Sequence, residues 1–220
     1  MISRYTRPEM ARLWTDEHRL GIWLEIEISV CEALAKRGVI PTEAVRDMRA
    51  KAKVDAKRVA EIELEVKHDV IAFVTAAAES VGPSGRYLHL GLTSSDVIDT
   101  AFALQLVHSA HLLLRGLDGL LAAVRKLADT YRDTRMIGRT HGVHAEPITF
   151  GVKAASWYAE LCRGFERIET AQREIATGKL SGAVGTYAHL SPDVEAEVLP
   201  RLGLAPETVA TQVVPRDRHA

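Results

Sequence analysis

The chain is 220 residues long, with 47% hydrophobic residues, 26% charged residues and a formal net charge of −1 at pH 7. That balance suits a globular protein able to bury a core, and it excludes the strong basic footprint that nucleic acid or an anionic membrane surface demands. No run of about 18 apolar residues is evident and Met1-Ile2-Ser3-Arg4-Tyr5 opens no apolar signal segment, so the expectation is a cytoplasmic protein with no membrane span and no nucleic-acid partner.

Aromatic residues amount to only 5%, and Ala, Leu, Glu and Arg are plentiful. The periodicity is helical nearly everywhere and strand signals are almost absent, so the predicted fold class is all-α. A first helix begins after Thr15, a plausible N-cap, with Asp16 and Glu17 in its first turn; Trp23, Ile26, Val30 and Leu34 form its apolar stripe and Gly38 closes it. A second helix follows Pro41-Thr42, with Val45 and Met48 on one face. A third starts near Asp55 and carries Val59, Ile62 and Val66; an interrupted continuation carries Val70, Phe73 and Ala77. Gly82-Pro83-Ser84-Gly85 reads as a loop. Cys31 and Cys162 fall within helix-like patterns far apart in sequence and read as buried free thiols.

From Ser95 to about Asp133 there is no proline, and apolar residues recur at helical spacing with only Gly116 and Gly119 weakening the pattern. Such a helix of roughly 38 residues would be roughly 57 Å long, longer than a small domain is wide. A second long pattern runs from Pro147 to about Thr177. Two such rods joined by a short polar loop imply an antiparallel pair in a larger bundle. The resulting division is a smaller helical N-terminal domain over 1–110 and the first part of a central helical bundle over 111–220. After Lys179 comes a Gly-rich loop, Ser181 to Tyr187, then a helix opened by Ser191-Pro192-Asp193 and closed near Gly203. The closing stretch Gln212 to Ala220 resembles the opening of a further element, so the expectation is a chain cut from a longer one.

Four segments concentrate reactive or anion-binding groups. Lys67-His68-Asp69 sits at a helix interruption, where Lys and His can hold an anion; a charged helix surface explains the same run. His89-Leu90-Gly91-Leu92-Thr93-Ser94-Ser95-Asp96 offers hydroxyls beside the start of the long helix, where free N–H groups favour a carboxylate or phosphate. The alternative there is plain capping, with Asp96 three residues after Thr93 completing a capping-box-like pair. Arg139-Thr140-His141-Gly142-Val143-His144 places a histidine in a loop between the long helices, suited to acid/base work or simply exposed at the surface. No Cys or carboxylate cluster completes metal spacing around it, so no metal is expected. The fourth group is Ser181 to Tyr187 with Gln212 and Arg216: small residues allow close backbone approach, and amide and guanidinium groups can fix an anion.

In this order, the segments resemble the adenylosuccinate lyase family of the fumarase/aspartase superfamily. The resemblance runs from Arg4-Tyr5 through Lys67-His68-Asp69, Leu92-Thr93-Ser94-Ser95-Asp96 and Gly138-Arg139-Thr140-His141-Gly142-Val143-His144-Ala145-Glu146-Pro147 to Gln212 and Arg216-Asp217-Arg218-His219-Ala220. It implies β-elimination of fumarate from two succinyl-amino nucleotides, adenylosuccinate (giving AMP) and SAICAR (giving AICAR), in purine synthesis without a cofactor. It implies His141 as general acid toward the departing nitrogen and His68 as its assistant. Thr93 and Ser94 would hold the succinyl carboxylate. Arg4, Tyr5, Lys67, Asp69, Gln212 and Arg216 would contact the nucleotide, and Thr140 belongs with the binding residues. The resemblance further implies a fumarase/aspartase-type bundle and a homotetramer whose active sites are shared between subunits. The family's Gly-Ser-Ser-x-Met-Pro loop, which carries the serine base, does not occur in the 220 residues, so the chain alone is expected to be inactive. Two other readings stand beside this one: another lyase of the superfamily, and a non-catalytic helical assembly protein.

Overall fold

A computed structural model describes residues 2–219. It is mostly helical, and its elements fall in two compact units. The first comprises residues 1–108 and 174–220, the second residues 109–173.

The first unit begins with a 3-10 turn at Ser3–Tyr5 and α1 (Pro8–Leu13), followed by α2 (Asp16–Lys36). Thr15 caps α2 through its side chain, which accepts the His18 N–H at 3.2 Å. Trp23, Ile26, Val30 and Leu34 are all buried, as the helical spacing requires. Gly38 (φ +71) closes α2 in a Schellman motif: its N–H donates to the Ala35 carbonyl and the Val39 N–H to the Leu34 carbonyl, both at 3.0 Å. α3 (Thr42–Lys51), α4 (Ala56–Val66) and α5 (Asp69–Val81) follow. Asp55 caps α4 by accepting the Lys57 N–H at 2.9 Å. Val70, Phe73 and Ala77 are fully buried; Val66, expected on the α4 stripe, is exposed. Trp23 and Phe73 meet edge to face at 5.3 Å in the centre of this core. Cys31 is buried there too, and burial first, then the charges of Glu27 and Glu32, push its thiol up to about 12. It is inert as a nucleophile.

The Gly82–Gly85 stretch forms a 3-10 turn, Pro83–Tyr87. α6 then runs unbroken from Ser94 to Thr130, 37 residues, close to the expected span. It is long and apolar enough to cross a membrane by length and composition alone, and half of its most apolar window is buried inside the protein itself. α8 (Pro192–Arg201) starts at Ser191, whose hydroxyl accepts the Asp193 N–H, and ends at Gly203 (φ +82) in a second Schellman motif. Two short strands, β3 (Thr177–Gly178) and β4 (Ala205–Pro206), pair in parallel beside it.

The second unit corrects the sequence reading at one point. The segment expected as a polar loop between the rods is an antiparallel β-hairpin, β1 (Arg135–Thr140) and β2 (Val143–Thr149). Thr140 pairs with Val143, so His141 and Gly142 alone form the turn, both with positive φ (51° and 76°). That is the signature of a type I′ hairpin turn, which matches the twist of the flanking strands. A β-bulge sets Ala145 and Glu146 against Gly138, where an added Cβ would lie 2.7 Å from the Glu146 carbonyl. α7 (Phe150–Ile175) therefore begins three residues later than Pro147. Its first turn packs on the residues that follow α6: the Gly151 N–H donates to the Tyr131 carbonyl, and a Cβ on Gly151 would sit 2.5 Å from Arg132 Cα.

Candidate active site

The polar heart of the first unit lies where α6 begins. Asp96 occupies the position three after Thr93, and its Oδ2 accepts the Thr93 N–H at 2.9 Å, the reciprocal half of the expected capping box. The same carboxylate does more than cap. Oδ1 takes the Lys179 Nζ at 2.5 Å and Oδ2 takes the Gly182 N–H at 3.2 Å, while Nζ also donates to the Gly182 carbonyl at 2.8 Å. Asp96 and Lys179 are both fully buried. The Lys179 backbone is held as well, since the Thr100 hydroxyl donates to its carbonyl and accepts its N–H, both at 3.1 Å. The second and fourth segments of the sequence reading, the Thr93–Ser94 hydroxyls and the Gly-rich loop, are thus tied together by one buried ion pair.

Around that loop the side chains are organised by Glu195 on α8, itself buried. Its Oε2 accepts the Leu180 N–H at 2.5 Å and its Oε1 the Tyr187 hydroxyl at 2.7 Å. Burial, then the bond to Glu195, pushes the Tyr187 hydroxyl up to about 12, so it serves as a donor and not as an acid near neutral pH. Gly185 (φ +79) lies against the 205–214 stretch so closely that a Cβ would come within 2.0 Å of the Ala210 carbonyl. A small cavity of about 140 Å³ opens here, lined by Lys179, Ser181, Tyr187 and Glu195, and the buried Ser181 Oγ has no hydrogen-bond partner among the described residues.

A second cavity of about 320 Å³ is lined by the apolar Trp23 and Phe102 together with Arg19, Asp69, Asp99 and Arg216. Two of the sequence-derived residues, Asp69 and Arg216, therefore line one pocket. Asp99, buried on α6, accepts the Val214 N–H at 2.9 Å and the Arg216 guanidinium at 3.1 Å, and so fixes the segment after Gln212. Arg216 also lies 3.1 Å from His219 Nδ1, and burial, together with the Arg216 charge, holds the His219 imidazole below the ordinary histidine range.

The remaining residues sit at the surface of their units. His68 caps α5: its Nδ1 accepts the Ile71 N–H at 3.4 Å and lies 3.5 Å from Asp69 Oδ1. With Nδ1 an acceptor, the proton of the neutral ring is on Nε2. Lys67 stands just before it in the left-handed region (φ 55). Arg4 and Tyr5 are exposed, with the guanidinium stacked 4.8 Å from the Tyr5 ring. Thr93 and Ser94 are half-buried and Gln212 is exposed. His141 and Thr140 belong to the second unit, at the tip of the hairpin; both are exposed, and the His141 ring makes no hydrogen bond among the described residues. Among the described residues no group of three or more His, Cys, Asp or Glu is arranged to hold a metal ion.

Sequence reasoning missed Glu27, Asp99, Lys179 and Glu195. Glu27, Asp99 and Glu195 lie on helices and Lys179 just after β3, and only burial distinguishes each of these charged residues from a solvated one.

A family model described as "Lyase" matches residues 3–220. Over all 220 residues the chain is 58% identical to the adenylosuccinate lyase of Synechocystis sp. and 49% identical to that of Bacillus subtilis, covering 51% of each relative. The chain spans about half the length of the curated relatives it matches. Among solved structures it superposes on a fumarate lyase from Mesorhizobium sp. BNC1 (TM-score 0.85, 31% identity, 91% of this chain and 49% of that one). It also superposes on the 3-carboxy-cis,cis-muconate lactonizing enzyme from Pseudomonas putida (TM-score 0.86, 28% identity, 94% and 50%).

Proposed function

The chain belongs to the lyase family whose model spans residues 3–220, and from that membership we propose that it forms part of a cytoplasmic enzyme eliminating fumarate from adenylosuccinate and from SAICAR. The observation that carries this reading is the likeness to adenylosuccinate lyases, which extends over the whole chain. Another lyase of the same superfamily is the rival, and the lower identity to the muconate lactonizing enzyme weighs against it.

The chemistry asks for donors that converge on anions, and for a proton delivered to nitrogen. A succinyl-amino nucleotide carries two carboxylates and a phosphate, and removal of its carbon-bound proton leaves a dianionic aci-carboxylate that prearranged donors must stabilise. Thr93 and Ser94, beside the free N–H groups of the α6 start, supply donors for a carboxylate. His68, with its proton on Nε2, adds another. Lys67, Arg4, Tyr5, Thr140, Gln212 and the Asp69–Arg216 pocket complete the substrate contacts. His141, unencumbered at the hairpin tip, is the general acid toward the leaving nitrogen. The serine-bearing loop that would take the carbon-bound proton is not in this sequence, and the chain alone does not turn over substrate.

The second unit supports an assembly. Leu113, Leu120 and Leu127 recur every seven residues along α6 and are 50%, 46% and 38% exposed, and Val152 and Trp157 of α7 are exposed as well. Heptad-spaced leucines on one face of a long helix are suited to packing against further helices. We take these to be copies of the same chain, in a homotetramer that shares its active sites.

The test is His141→Asn in the full-length protein, Asn being tolerant of the left-handed backbone that position adopts. Fumarate release followed by absorbance is expected to fall by orders of magnitude with the thermal transition unchanged; near-normal turnover would refute the assignment.

A further inference from the structure

Glu27 lies in the middle of α2 and is fully buried. Both its oxygens are used by a single residue: Oε2 accepts the His89 backbone N–H and Oε1 meets His89 Nδ1, each at 2.7 Å. Neither the helix nor the core needs a carboxylate there. Burying one is costly unless it is paired and hydrogen-bonded, and an apolar side chain would fill the same space without that penalty. The geometry has a definite consequence for His89. A carboxylate oxygen has no proton to give, so Nδ1 must be the donor.

His89 is itself held in an uncommon state. Its φ is +63°, a left-handed conformation that a non-glycine residue rarely adopts, and its backbone N–H is one of the two groups that Glu27 anchors. The turn it opens, with the Leu92 N–H donating to the His89 carbonyl at 3.3 Å, leads directly to Thr93 and Ser94. That turn is pressed onto Leu190, since a Cβ on Gly91 would come within 2.9 Å of the Leu190 Cγ. The His89 side chain is 17% exposed, and Nε2 makes no hydrogen bond among the described residues.

We propose that Glu27 is a positioning residue for the candidate site: it fixes His89 as the Nδ1–H tautomer, which leaves Nε2 as the unprotonated nitrogen of the neutral ring, on the turn that leads to the Thr93–Ser94 hydroxyls. The inference deepens the lyase reading and rests on it for the identity of the ligand. His68 is arranged in the opposite sense, because its Nδ1 accepts a backbone N–H and its Nε2 already holds the proton. His68 and His89 thus differ in the second ring nitrogen, an acceptor at His89 and a donor at His68.

Imidazole ¹⁵N NMR on the 220-residue chain tests the tautomer directly, with the His89 signals assigned by their loss in His89→Gln. The expected pattern is a protonated, pyrrole-type Nδ1 and a pyridine-type Nε2. In Glu27→Gln one acceptor oxygen becomes an NH₂ donor, so the two patterns are expected to exchange. In the full-length protein the same substitution is expected to slow fumarate release by roughly a hundredfold or more, the scale of a wrong tautomer behind a reacting imidazole, with the thermal transition retained. A pyridine-type Nδ1 in the unsubstituted chain would overturn the proposal without recourse to any variant. So would an unchanged pattern, or unchanged turnover, in Glu27→Gln. Failure of the lyase reading shows separately, as an unsubstituted full-length protein that releases no fumarate while its His89 keeps the Nδ1–H pattern.

Discussion

Replacing Lys179 by Met is the sharpest test of how the site is held together. Met keeps most of the side-chain volume and removes only the charge and its donors. Asp96, fully buried, would then be left with two backbone donors, the N–H groups of Thr93 and Gly182, and the Gly182 carbonyl would lose its partner. Removing one member of a buried pair costs about 3–5 kcal/mol, because the remaining charge stays desolvated and uncompensated. For a chain of this size each kcal/mol moves the thermal midpoint by roughly 2–4 °C, so a drop of about 6–20 °C is expected by circular dichroism. The double variant Asp96→Asn/Lys179→Met removes the stranded charge and should recover much of the loss, giving a coupling energy well above that of an exposed pair. A loss below about 1 kcal/mol in the single variant, the size expected at a solvated surface, would refute the claim that this pair is buried and holds the loop.

Two further outcomes follow from the same packing. Hydrogen bonds from Lys36 and Arg37 hold the Glu197 carboxyl down at about 2, and Glu32 is also held below its usual range, because the bonds from Arg49 and Arg201 outweigh its partial burial. A depressed folded value stabilises the folded state above the unfolded value of about 4.3. That stability is lost as pH falls through the folded value, so urea midpoints should decline between about pH 4.5 and 2, and Glu197→Gln should flatten part of the decline. Gly185→Ala would set a methyl group 2.0 Å from the Ala210 carbonyl at a backbone φ of +79°. Measurable destabilisation and faster amide exchange in the 205–214 stretch are expected, whereas native-like exchange there would show that the contact is not tight.

The local signals in the sequence were largely sufficient for the helices. Thr15 and Ser191 cap where their chemistry said they would, a helix starts at Asp55 as expected, and Gly38 and Gly203 close helices through the same hydrogen-bond motif, because caps depend on residues within one turn of each other. The unbroken apolar recurrence that predicted the long α6 is likewise a local property. The hairpin around His141 was hidden because its strands are short, contain Gly138 and Pro147, and lack an alternating pattern; His141–Gly142 as a type I′ turn becomes evident only once Thr140 is seen opposite Val143. Of the candidate site, the sequence by itself indicated the hydroxyls, the imidazoles and the capping role of Asp96. Only the tertiary structure decided that Asp96 also meets Lys179, 83 positions away, and that Glu27 meets His89, 62 positions away. The physical reason is burial: a charged residue reads the same in sequence whether water or a single opposite partner compensates it, and only the three-dimensional packing shows which.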